Sequence, residues 1–158
     1  MTVGIEPNSD RDLVITRLID APRAKVYEAW ADAELVKQWW APRPWTTPVC
    51  ELALERGGTF KTVMRGPEKE EHTTVGVFLD VVPAERIVFT DAFISAWVPS
   101  EKPFMTAEIT LEDEGGKTRY TARVLHWSYA DREQHEKMGF HDGWGQCIQQ
   151  LGEVASKL

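Results

Sequence analysis

Cysteine is scarce: only Cys50 and Cys147 occur in 158 residues, far apart and each among apolar neighbours. That excludes a disulfide framework, and both read as reduced, buried thiols. With four histidines in the whole chain, closely spaced zinc ligands are lacking as well. His135-Glu136 with His141 approximates a zinc-protease motif, but that motif needs two histidines four apart on one helical face, and here they are six apart. Six residues turn a helix by about 600°, so the two rings diverge. No metal and no cofactor is expected. Positive charge is also short: 18 Lys and Arg stand against 25 Asp and Glu, giving a net charge of −7. An acidic surface repels phosphate backbones and anionic lipid, so neither nucleic acid nor membrane is an expected partner. No apolar run is long enough to span a bilayer. Residues 1–10 are polar and acidic, without the basic and apolar regions of a signal peptide, so the expected location is the cytoplasm. A serine nucleophile elbow, a phosphate loop and a dinucleotide fingerprint are all missing. So are internal repeats and low-complexity segments.

What the chain does have is tryptophan. Trp30, Trp39, Trp40, Trp45, Trp97, Trp127 and Trp144 make seven in 158 residues. Each brings a large rigid ring and one donor that wants a partner, so they imply a big aromatic interior or a lined cavity. The length suits one domain. Residues 1–11 read as a loose leader and 12–158 as the domain.

Hydrophobic periodicity orders the elements. Residues 12–19 read as a first strand. Pro22 stands where a helix would begin, and Val26, Ala29 and Trp30 form a stripe at helical spacing. Asp32 is a good N-cap for a second short helix carrying Leu35, Trp39 and Trp40, which Pro42 and Pro44 end. Strands are then expected at 49–54, 59–65, 71–82, 86–93, 105–112 and 118–127, with a loop at 95–103 and a hairpin turn at Gly115-Gly116. Ser128 can cap the closing helix. Its first stretch, 131–138, is polar and reads as exposed, and Gly139 can bend or interrupt it. Trp144, Ile148, Leu151, Ala155 and Leu158 then recur at steps of four and three, one apolar face of a long helix. Short connections make the later strands antiparallel neighbours, and only that helix is long enough to cover their apolar face. The fold class is α+β.

Four segments carry a family resemblance: Asp20-Ala21-Pro22 through Ala29-Trp30, Leu35 through Trp39-Trp40-Ala41-Pro42, Gly57-Gly58-Thr59-Phe60, and His135 through Gly139-Phe140-His141-Asp142-Gly143-Trp144-Gly145. Together with Val81-Val82-Pro83-Ala84-Glu85-Arg86-Ile87-Val88-Phe89-Thr90 they resemble the activator of heat-shock-protein-90 ATPase homologues, C-terminal-domain type, within the START-like or SRPBCC superfamily. The resemblance covers nearly all of 12–158. It implies a helix-grip fold, like that of the birch-pollen allergen: a curved antiparallel sheet wrapped round a long C-terminal helix, with two short helices after the first strand. It also implies a deep cavity between sheet and helix, and it fixes no chemistry.

Strand period and helix stripe together bound that cavity by Trp40, Phe60, Met64, Phe89, Met105 and Trp144, with Trp97 on a covering loop and His141 as a polar group near its mouth. Adjacent helical residues point about 100° apart, so Trp40 is expected to face the cavity while Trp39 packs. Asp91 could be a base among aromatics, but it stands a short step from a loop and reads better as a strand end meeting water. No catalytic set emerges. The leading function is binding of a small hydrophobic molecule. One alternative is a cyclase, dehydratase or hydrolase acting on a hydrophobic ring, which needs two converging titratable groups. Another is a chaperone-regulating interaction domain, which needs an exposed patch. A homodimer stays open.

Overall fold

The structure is a computed structural model that describes residues 9–158. The leader expected at 1–11 therefore lies outside the described residues apart from 9–11. The order is β1 (Asp12–Ile19), α1 (Arg23–Ala31), α2 (Ala33–Val36), β2 (Thr46–Leu52), β3 (Thr59–Arg65), β4 (Glu71–Val82), β5 (Arg86–Thr90), β6 (Phe93–Ser95), β7 (Val98–Pro99), β8 (Met105–Glu114), β9 (Lys117–His126), α3 (Tyr129–Lys137) and α4 (Phe140–Ala155). Seven strands form one antiparallel sheet in the order β1-β9-β8-β5-β4-β3-β2. This is the α+β helix-grip arrangement that the family resemblance implies, with the sheet covered by the C-terminal helix as the element order leads one to expect.

Period two sorts the sheet into faces. On the inner face of β8, Ala107, Ile109 and Leu111 are buried, and Tyr120, Ala122 and Val124 of β9 lie beside them in register. β1 adds Leu13 and Ile15, β5 adds Ile87 and Phe89, and β3 adds Phe60. Ile148, Leu151 and Ala155 of α4 close the core from above. The α4 stripe thus does the work its spacing promises, although Leu158 at its end stays exposed.

Several boundaries differ from the sequence reading, and the larger shifts have local reasons. α2 stops at Val36, because the Trp39 and Trp40 amides both donate to the Val36 carbonyl and tighten the chain into turns. β2 starts earlier, at Thr46, and accommodates Pro48 through a register shift on a sheet edge, where a missing N–H costs little. β5 ends at Thr90, since the Asp91 carboxylate accepts from the Phe104 and Met105 amides, at 2.8 and 3.1 Å, and turns the chain away. The expected loop after it contains the small β6–β7 hairpin. The closing helix is interrupted at Gly139, one of the outcomes expected there, and so is two helices. Gly139, at φ 93°, adopts the left-handed conformation that favours glycine and re-aims the chain between α3 and α4. Ser128 caps α3 as expected, its hydroxyl accepting from the Asp131 amide.

Candidate functional site

The interior has two ends. At one, α1 and the turn after α2 press tryptophans onto the sheet. Trp30 lies 5.0 Å from Trp39 and 5.8 Å from Trp40, centroid to centroid. Trp40 lies 4.9 Å from Phe60 in an edge-on contact. Phe60 stacks on Phe78 at 5.0 Å and meets Phe89 edge-on at 5.3 Å. Edge-to-face packing of this kind fills space without leaving ring faces free. Two of the indole donors have partners inside the protein: Trp30 Nε1 donates to the Tyr120 hydroxyl and Trp39 Nε1 to the Ala29 carbonyl. Burial pushes the Tyr120 phenol up. The 39–43 segment is strapped to α4 by the buried Gln150, which donates to the Trp39 and Ala41 carbonyls and accepts from the Arg43 amide. Cys147 adds a contact from Sγ to the Trp40 carbonyl.

At the other end, the strand inner faces run out beneath the junction of α3 and α4. Asp91, Phe104, Met105 and Trp144 are half-buried there. Gly76 keeps the floor low. A Cβ on it would stand 2.3 Å from the Thr90 carbonyl oxygen, so no side chain fits between Phe60, its cross-strand partner, and the end of β5. His126 ends β9 on the inner face beside Met105 and is buried. Its Nδ1 lies 2.8 Å from the Arg11 carbonyl oxygen and its Nε2 lies 2.8 Å from Nδ1 of His135 on α3. Rings of Phe104, Phe140 and Trp144 surround His135 at 5.2, 5.1 and 6.3 Å. Burial first, and the neighbouring His126 second, hold the His135 imidazolium down to about 4 from an ordinary 6.5. His135 is therefore neutral at neutral pH.

The eight residues expected at a cavity divide among these places. Trp40, Phe60 and Phe89 meet in the packed end. Met105 and Trp144 lie at the other end, and Met64 is half-buried near the end of β3. Trp97 is 83% exposed between β6 and β7. His141 is half-exposed, with Nε2 3.9 Å from a Glu136 oxygen. Trp39 is buried more deeply than Trp40, and both touch Trp30. Two surface hollows, of about 160 and about 440 Å³, lie elsewhere. The larger opens at the end of β1 beside Arg11, Asp12, His126 and Trp127, and neither is lined by any of the eight.

Sequence reasoning missed the histidine pair. Strand period places His126 inward with Val124 and Ala122, which was a usable signal. His135 gave none, because it stands on a helix whose other residues are polar and of which no residue is fully buried. The thiols offer no nucleophile: burial pushes Cys50 up to about 11 and Cys147 to about 12, and neither forms a disulfide. Among the described residues no group of three metal-ligating side chains occurs, and no helix is long and apolar enough to cross a membrane.

Comparison with known proteins agrees with the fold. A crystal structure of a Nitrosomonas europaea protein superposes with a TM-score of 0.91 at 36% identity, over 96% of this chain and 97% of that one. A Mycobacterium smegmatis protein superposes at 0.81 with 22% identity, over 99% and 98%, and a Rhodobacter sphaeroides protein at 0.83 with 18%, over 97% of each chain. The last two show the fold alone. No curated protein matches the chain. The model of the family described as activator of Hsp90 ATPase homolog 1-like protein matches residues 20–156, and the chain belongs to that family.

Proposed function

We propose that the protein binds a small hydrophobic molecule between the sheet and α4, at the end of the interior beneath the α3–α4 junction, and that it works in the cytoplasm with its thiols reduced. One observation supports this above the rest. Apolar side chains that the strand and helix periods direct inward, Met105 and Trp144, stay half-buried there, while rings at the opposite end are locked together. Interiors ordinarily pack to crystal density, so inward apolar groups left partly open mark a surface that a ligand can cover. In this reading Met105 and Trp144 form the wall of the site, and the interlocked Trp40, Phe60 and Phe89 lie behind it as packing. Thiols held protonated leave binding a better fit than covalent catalysis.

The test is titration with an apolar fluorescent probe, read through tryptophan quenching. Saturable binding that weakens in Trp144→Ala and Met105→Glu but survives in Trp97→Ala is expected. Absence of binding in the folded wild type refutes the reading. A second reading, contact with a partner protein such as a chaperone, draws on the exposed Ile94, Trp97 and Val98 of the β6–β7 hairpin. Under it, Trp97→Ala weakens the partner contact and leaves probe binding unchanged.

A further inference from the structure

The hydrogen bonds of the histidine pair fix its tautomers. The Arg11 carbonyl oxygen can only accept, and it already receives the His126 backbone amide at 3.1 Å. The imidazole nitrogen 2.8 Å from it, His126 Nδ1, must therefore carry a proton. A neutral His126 then has a bare Nε2, which must accept. Among the described residues the atom offered to it is His135 Nδ1, at 2.8 Å, so that nitrogen is the donor. By elimination the neutral His135 ring carries its lone pair on Nε2. That nitrogen has no hydrogen-bond partner among the described residues. Its ring stands among Phe104, Phe140 and Trp144.

A backbone carbonyl thus sets, through two imidazoles, the polarity of one atom in an aromatic setting. A hydrogen bond from one ring nitrogen to a backbone carbonyl is a common way in which enzymes and metal sites fix an imidazole tautomer, and here a second imidazole passes that constraint on. Here the two rings bond each other, so they do not share a metal. We propose that His135 Nε2 is the polar reader of the ligand site and accepts a hydrogen bond from a neutral hydroxyl on an aromatic ligand that packs against the half-buried rings of Phe104 and Trp144. This rests on the binding site proposed above. His126 is a positioning residue that holds the acceptor tautomer. A carboxylate is disfavoured, because two lone pairs would face each other, and so is a ligand that lacks a donor, because it would cover the acceptor and leave it unpaired.

Three probes of one shape separate the possibilities: 2-naphthol, its methyl ether and 2-naphthoate, titrated at neutral pH against the full chain. The naphthol is expected to bind about tenfold more tightly than the ether, the worth of one hydrogen bond in a partly buried site, and the naphthoate to bind most weakly. His135→Phe keeps a ring in place but removes the acceptor, so it should abolish the difference in affinity between naphthol and ether. Nitrogen-15 NMR supplies a reading independent of affinity: bare Nε2 on both rings in the free protein, with the His135 Nε2 resonance moving on addition of naphthol and not of ether. Equal binding of naphthol and ether, tightest binding of the naphthoate, or a proton on His135 Nε2 in the free protein overturns the inference and leaves the apolar site standing. Failure of all three probes to bind the folded wild type overturns both.

Discussion

Two aromatic clusters share one interior and are built to opposite ends. Around Trp30 every ring meets another ring, and the Trp30 and Trp39 donors find a hydroxyl or a carbonyl inside the protein. Around His135 the rings are as close, but two of them are imidazoles and the chain of hydrogen bonds stops at a nitrogen with no partner among the described residues. A satisfied aromatic cluster is a foundation. One that ends on an unpaired acceptor can recognise something. The difference comes from where the covering elements are tied. Gln150 and Cys147 strap the 39–43 segment to α4 at the first end, whereas α3 lies over the second with no fully buried residue of its own.

The sharpest way to break this contrast is to remove one ring from each cluster. Trp30→Ala takes away a fully buried indole and leaves the Tyr120 hydroxyl without its donor, so it should cost about 3–5 kcal/mol. Trp144→Ala removes a half-buried ring and should cost about 1–2 kcal/mol. Urea unfolding monitored by circular dichroism measures both. Equal losses would mean that the two ends are packed alike.

A smaller effect should follow pH. His135 titrates at about 4 when folded and near 6.5 when unfolded. Between those values the unfolded chain binds the proton and the native chain does not. The stability owed to the neutral ring is therefore complete above 6.5 and is lost as pH falls toward 4. With discount for partial exposure the loss should be about 1–2 kcal/mol. His135→Gln, which still donates to His126, should flatten unfolding free energy against pH by that amount. An unchanged slope would show that the ring is solvated like any surface histidine.

The smallest effect belongs to Trp97. It is large and apolar but touches water over most of its surface, so Trp97→Ala should shift stability by no more than about 0.5 kcal/mol. A larger loss in the same unfolding assay would place the β6–β7 hairpin in the core, and the contrast would then need a third region.

Much of this was legible in the residues. Alternation in 59–65 and 105–112 put Phe60, Ala107, Ile109 and Leu111 inside, and steps of four and three did the same for Ile148, Leu151 and Ala155. Each follows from a geometric period that a chain cannot escape once it forms a strand or a helix. Less legible were places where a tertiary bond overrode local pattern. β5 ends where Asp91 reaches two amides of a later strand. Trp39 and Trp40 were separable by angle but not by depth, because Ala29 and Gln150 decide that.

The sequence by itself determined the strand faces, the helix stripe, the hairpin at Gly115-Gly116 and the family, because each is written in neighbouring residues. Only the tertiary structure decided which rings interlock and which stay open, and that His126 and His135 are joined. Nine positions separate those histidines, across the end of a strand, a turn and most of a helix. No local period relates a strand face to a helix face. Their meeting depends on the direction in which α3 leaves β9, at the turn where Ser128 caps the helix.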